Sequence, residues 1–94
     1  MTAFAIFQGD VTDETMYEDY KTLASKTVED YGGTYLLRGG IWTSLEGDDP
    51  PTRTVVIRFD SVADAHKWYQ SDEYQKARPI RQAASTGSLY IVGA

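Results

Sequence analysis

Residues 34–59 read Thr34-Tyr35-Leu36-Leu37-Arg38, Gly39-Gly40-Ile41-Trp42-Thr43-Ser44-Leu45-Glu46, Gly47-Asp48-Asp49-Pro50-Pro51-Thr52 and Arg53-Thr54-Val55-Val56-Ile57-Arg58-Phe59. The last run is the strongest strand signal in the chain, because β-branched and aromatic side chains fit a pleated, half-buried surface. The first run is strand-like too. Gly39-Gly40 permits a bulge or bend, after which residues 41–46 continue in extended form. Residues 47–52 are dense in turn formers. Together these pieces predict a long hairpin in the middle of the chain, and the elements on either side of it decide the fold.

Upstream, Thr2–Gln8 is apolar enough for a central strand. Met16, Tyr20, Leu23, Ala24, Thr27, Val28 and Tyr31 then recur at spacings of three and four, which predicts a helix with one buried face. Thr12 or Asp13 caps it, Glu14, Glu18 and Asp19 favour the positive end of its dipole, and Gly32-Gly33 supplies a left-handed stop. Downstream, Ser61-Val62-Ala63-Asp64 opens a second helix that turns Val62, Ala65, Trp68 and Tyr69 to a core. A break near Ser71 restarts it, and residues 72–84 are again helical. Pro79 lacks an N–H and disfavours a helical Arg78, so a kink or a new first turn is expected there. Gly87 closes the region, and Ser88–Val92 forms a last short strand.

The order β-α-β-β-α-β predicts an α+β, ferredoxin-like fold, an antiparallel sheet with the helices on one face, and residues 1–94 read as one such domain. Both faces of the strands carry apolar groups: Phe4 and Ile6 against Ala5 and Phe7, Tyr35 and Leu37 against Leu36, Val55 and Ile57 against Val56. The face without helices therefore needs a cover. A second copy of the same sheet is the simplest one, so a homodimer with a barrel-like interior, a dimeric α/β barrel, is expected.

Composition narrows the function classes. The chain has 94 residues, no cysteine, one histidine and a net charge of −5. Disulfide scaffolds, thiolate metal sites and cysteine nucleophiles are excluded, and no metal site is expected. The acidic balance disfavours nucleic acid and anionic membranes as partners. No apolar run approaches the ~20 residues of a membrane span, and the N-terminus lacks the basic start of a secretory signal, so a cytoplasmic protein is expected.

Tyr31–Gly40, Leu45-Glu46-Gly47, Arg53–Ile57, Trp68–Tyr74 and Arg81–Ala84 resemble, in order and over nearly the whole chain, domain-of-unknown-function family 1330, a dimeric α/β-barrel group. The resemblance implies a ferredoxin-like protomer and a dimer. Other branches of that superfamily include small monooxygenases without cofactors, haem-degrading enzymes, chlorite dismutases and isomerases. It assigns no reaction, since a fold hosts many functions. Arg78-Pro79 departs from the uninterrupted helix more common in the family.

Arg38, Glu46 and Arg53 are the charged members of the matching stretches. A planar guanidinium holds carboxylate or enolate oxygens, and a partly desolvated glutamate moves protons, so Glu46 is read as the catalytic acid or base, with Arg38 and Arg53 binding the ligand. The competing reading makes the three residues cross-strand ion pairs that fix the hairpin or the dimer. Trp42, beside the glycine bend, is read as a contact to ligand or partner, and the remaining aromatics as core. His66 reads as a surface or boundary histidine, with haem ligation the functional alternative. The glycine pairs lack the spacing of a phosphate loop, and no cofactor is expected. The orientation of Arg58, His66 and Arg81 is left open. The leading expectation is a cofactor-independent enzyme acting on a small carbonyl or carboxylate compound by proton transfer. The alternatives are a non-catalytic small-molecule-binding or assembly module and a cofactor-independent monooxygenase.

Overall fold

A strand flanked on both sides buries every second side chain and satisfies its backbone in two ladders, and the first strand does both in a computed structural model that describes residues 1–94. The elements are β1 (Ala3–Val11), α1 (Glu14–Asp30), β2 (Thr34–Arg38), β3 (Arg53–Phe59), α2 (Val62–Gln70), α3 (Asp72–Ala84) and β4 (Ser85–Gly93). The sheet has the order β2-β3-β1-β4, with every pairing antiparallel. Ala3, Ala5 and Phe7 of β1 join Val55, Ile57 and Phe59 of β3 in the core, against Ala24 and Val28 of α1, Ala65 and Trp68 of α2, and Tyr74 and Ala77 of α3.

Caps explain the helix boundaries. Met16 N–H donates to Asp13 Oδ1 at 3.0 Å at the start of α1, and Gly32, at φ +80°, turns the chain out at its end. Asp64 N–H donates to Ser61 Oγ at 3.0 Å to open α2. Ser71 closes α2 by donating to the Trp68 carbonyl at 2.7 Å and opens α3 by accepting from Tyr74 N–H at 3.1 Å. Trp68, 1% exposed, packs on Phe59 and Tyr74, and its indole N–H donates to Thr27 Oγ1 at 3.0 Å. That bond gives the largest core side chain a partner for its one polar group.

The structure departs from the sequence reading in several places. The paired strands of the hairpin are short: β2 ends at Arg38, because Gly39 and Gly40 take φ of +83° and +104°, and residues 41–46 leave the sheet instead of extending it. A bulge between Tyr35 and Leu37 sends Tyr35 and Arg38 to the helix side and Leu37 to the other face beside Val56, so Tyr35 and Leu37 do not share a face. On α1 the buried face is Tyr17, Ala24, Thr27 and Val28, whereas Met16 and Leu23 stand 36% and 46% exposed. Helix α3 passes through Pro79 without a new first turn. Pro79 sits on the exposed side, and the burial of Tyr74, Ala77, Arg81 and Ala84 holds the opposite side in place.

Gly87 does not end a region but lies inside β4, paired with Gly9. A Cβ on Gly87 would run into the Gln8 carbonyl oxygen, and one on Gly9 into the Thr86 carbonyl oxygen, so the two strands approach closely only with glycine at both positions. All three helices lie on one face. The opposite face carries Phe4, Ile6, Val56, Leu37, Tyr90 and Val92, the last three 43%, 41% and 43% exposed. No helix is long and apolar enough to cross a membrane.

Candidate functional site

Between the helices and the sheet lies a cavity of about 20 Å³, room for about one water, lined by Tyr17, Tyr20 and Lys21 of α1 and by Tyr35, Arg38 and Arg53 of the sheet over an apolar floor. Strand register places the two arginines: Arg38 pairs with Val55 and Arg53 with Gly9, both in rows that face the helices. The Arg53 guanidinium lies 5.1 Å from the centre of the Tyr17 ring, and its Nε–H donates to the Tyr17 hydroxyl at 3.2 Å. Gly39 makes room for it, since a Cβ there would stand 2.7 Å from an Arg53 terminal nitrogen. Arg38 stacks on Tyr35 at 4.1 Å and donates to Ser25 Oγ at 2.7 Å.

The phenols around the cavity differ from free tyrosine. Burial pushes the Tyr20 hydroxyl well above its ordinary value, and its neighbour Tyr74, with the two oxygens 3.1 Å apart, adds to the rise. Burial raises Tyr35 as well. Both stay neutral at physiological pH. A second, polar hollow of about 230 Å³ shares Tyr17, Lys21 and Arg53 with the cavity and opens outward past Gly39, Gly40 and Thr52. Glu14 is the only carboxylate that lines either space.

Of the residues singled out in the sequence, the structure brings Arg38 and Arg53 to one cavity. Glu46 stands exposed in the 39–52 connection and lines neither space, and Trp42 lies in a separate shallow groove with Leu37 and Thr54. Within the protomer, no ion pair joins Arg38, Glu46 or Arg53 across the hairpin. The ion pairs are Lys21–Glu18, Lys26–Asp30 and Arg58–Asp60, at 2.7, 3.5 and 3.1 Å. Arg58 faces the side without helices, in register with Phe4. His66 is exposed on the rim of a groove of about 460 Å³ between α2 and β4, and Arg81 is buried. Sequence reasoning missed Tyr17 and Lys21. Their spacing to Tyr20, Ala24 and Val28 is as helical as that of Met16, but the longer list of apolar residues beginning at Met16 drew the face one residue away.

The sequence model of the family described as a domain of unknown function, DUF1330, matches residues 2–94. The chain belongs to the DUF1330 family. Among solved structures, a protein of unknown function from Rhodopseudomonas palustris is similar to this DUF1330 chain at 17% identity and a TM-score of 0.80, over 99% of this chain and 82% of that one. A cofactor-independent oxygenase from Streptomyces nogalater is similar at 12% identity and a TM-score of 0.66, over 99% and 90% of the two chains. A dimeric protein of unknown function with a ferredoxin-like fold, from Bacteroides fragilis, is similar at 10% identity and a TM-score of 0.56, over 99% and 96%. At these identities the likeness shows the fold, which is ferredoxin-like, and not the chemistry. No curated protein matches the DUF1330 chain.

Proposed function

We propose that this protein binds a small organic anion, a carboxylate or the enolate of a carbonyl compound, in the hollow that leads to the helix–sheet cavity, and moves a proton on it without a cofactor. The observation that carries the reading is the convergence of Arg38 and Arg53 on one cavity, with neither paired to a carboxylate. Because Arg53 donates into the Tyr17 oxygen, the Tyr17 proton is free for another acceptor, and an anionic oxygen in the hollow is a strong one. The same donors stabilise the enolate oxygen that forms when a carbonyl compound loses the proton on the adjacent carbon. Glu14, the carboxylate on the rim of that hollow, accepts this proton in our reading, in the place that sequence reasoning assigned to Glu46.

The test is a thermal-shift panel of carboxylates, carbonyl compounds and phenols. A ligand at ten times its Kd adds about 1.4 kcal/mol, which raises Tm by about 5–10 °C for a domain of this size. We expect one anionic class to stabilise the wild type and to lose its effect in Arg38→Met and Arg53→Met. Glu14→Gln should keep binding while abolishing exchange of the ligand's α-hydrogen with heavy water, followed by NMR. A panel in which no anion raises Tm removes the proposal. Stabilisation by electron-rich phenols alone, with oxygen uptake, points to oxygenase chemistry, the reading that the fold likeness to the Streptomyces nogalater oxygenase favours.

We further propose that two copies pack through the helix-free sheet face. Its six apolar residues form a continuous band across all four strands, and the Bacteroides fragilis protein of the same fold is dimeric.

A further inference from the structure

Ile41-Trp42-Thr43-Ser44-Leu45-Glu46 has the composition of a strand, yet in the protomer residues 40–46 make no backbone–backbone hydrogen bond, and Ile41 and Leu45 stand fully and 90% exposed. An extended apolar stretch with an unpaired backbone lacks a partner strand. Side chains alternate along a strand, so Ile41, Thr43 and Leu45 share one side, and Trp42, Ser44 and Glu46 the other. At the far edge of the sheet, β4 has the complementary lack. It is an outermost strand, nine residues long, with no charged residue or proline to guard its free edge. The other edge strand, β2, is guarded, since it has only five residues, a bulge and Arg38. Between α2 and β4 runs the groove of about 460 Å³, where Leu89 and Ile91 of the strand meet His66, Tyr69 and Gln70 of the helix. Tyr90 lines this groove and also belongs to the helix-free face, so the groove is continuous with the surface through which two copies pack in the reading above.

We infer that residues 41–46 of a second copy add to the β4 edge as a fifth strand, with Ile41 and Leu45 seated in the groove between α2 and β4. The inference rests on the dimer proposed above and adds to it the segment and the groove that lock the two copies together. The chain's own segment cannot fill this place. A strand added beyond β4 lies four strand spacings from β2, about 19 Å, whereas Ile41, three residues past Arg38, reaches about 10 Å. A second copy can. When two sheets pack face to face about a two-fold axis along the strands, the β2 edge of each lies over the β4 edge of the other, and residues 41–46 leave the sheet directly after β2. The contact is reciprocal, so each dimer buries Ile41 and Leu45 twice and gives both β4 edges a partner. The groove shares Trp68 and Leu89 with the helix–sheet cavity, so the second copy's segment covers the outer side of a wall of the candidate site.

The experiment is residue-resolved amide hydrogen exchange on the full chain, at a concentration where it scatters as two protomers, beside Ile6→Lys and the double variant Ile41→Asp/Leu45→Asp. In the wild type, the amides of residues 41–46 and those of residues 88–92 that point away from β1 should be protected together. Both sets should exchange freely in Ile6→Lys once it scatters as one protomer. The double variant alters two side chains that the protomer leaves exposed, so its circular dichroism should match the wild type. Its dimer dissociation constant, measured by dilution, should rise about a hundredfold or more, because four apolar side chains lose their burial. A wild-type dimer whose 41–46 amides exchange freely overturns the inference and leaves the dimer standing. So does a double variant that dimerises as tightly as the wild type. Protection of 41–46 that persists in a single-protomer Ile6→Lys puts the partner strand within the protomer and is equally fatal. Protection of the β4 edge without that of 41–46 assigns the groove to another occupant and overturns it too. A wild type that scatters as one protomer at every concentration removes the dimer and this inference together.

Discussion

Tyr20 shows how one hydroxyl ties the site to stability. It lies beside Tyr74, 3.1 Å between the oxygens, in the aromatic layer under the cavity, and burial raises its pKa well above the ordinary value. The unfolded chain ionises its tyrosines at a pH of about 10, whereas the folded chain holds this proton to higher pH. Below that pH both states are protonated and stability does not depend on the group. Above it the folded state binds more protons than the unfolded one, so stability falls as pH rises toward the folded value. We expect the urea midpoint to drop steadily above pH 10 and the drop to flatten in Tyr20→Phe. An equally steep alkaline limb in the variant would assign the effect to other groups. Tyr35, raised by burial, and Tyr31, raised by its hydrogen bond to Glu73, add to the same limb.

Elements in this fold are shaped by tertiary packing as much as by local preference. Helix α3 contains Pro79, which removes one backbone hydrogen bond from its middle, yet the helix runs unbroken because its inner side is anchored in the core. Since Pro79 is exposed, Pro79→Ala restores the missing bond to the Gln75 carbonyl without disturbing that inner side. It should raise stability by about 1–3 kcal/mol, read as a higher urea midpoint at unchanged slope. A lower midpoint would mean that the proline geometry is needed to seat Arg78 and Arg81. The 39–52 connection shows the converse. It contributes no strand, and its end is tied to β1 where Asp10 Oδ1 accepts from both the N–H and the hydroxyl of Thr52, at 2.9 Å each. That tether fixes the start of β3, and with it Arg53, while Ile41 and Leu45 stay fully or almost fully exposed.

At the scale of the whole molecule, the helix-free face is the largest unmet demand of the fold. Ile6 lies at its middle, between Val56 and Tyr90 in the register of the sheet. Light scattering at micromolar concentration should give twice the protomer mass for the wild type and a single protomer for Ile6→Lys, with the far-ultraviolet circular dichroism of the two alike. A wild type that scatters as one protomer would remove the dimer. Much of this architecture was legible in the chain. Alternation in β1 and β3, the i, i+3, i+4 spacing of α1 and the capping serines at 61 and 71 are local patterns, and each follows from the geometry of one element. The order of elements and the two-sided apolar character of the strands were equally readable. Other features rest on contacts between distant parts of the chain. The bulge that turns Arg38 inward, the close approach of Gly9 to Gly87, the Arg53–Tyr17 bond and the burial of Arg81 depend on which strand neighbours which and how each helix is rotated upon the sheet. A sequence determines by itself what is periodic along one element. Only the tertiary structure decides which side chains meet across elements, because a rotation or register shift of one residue exchanges the partners of every side chain on that element.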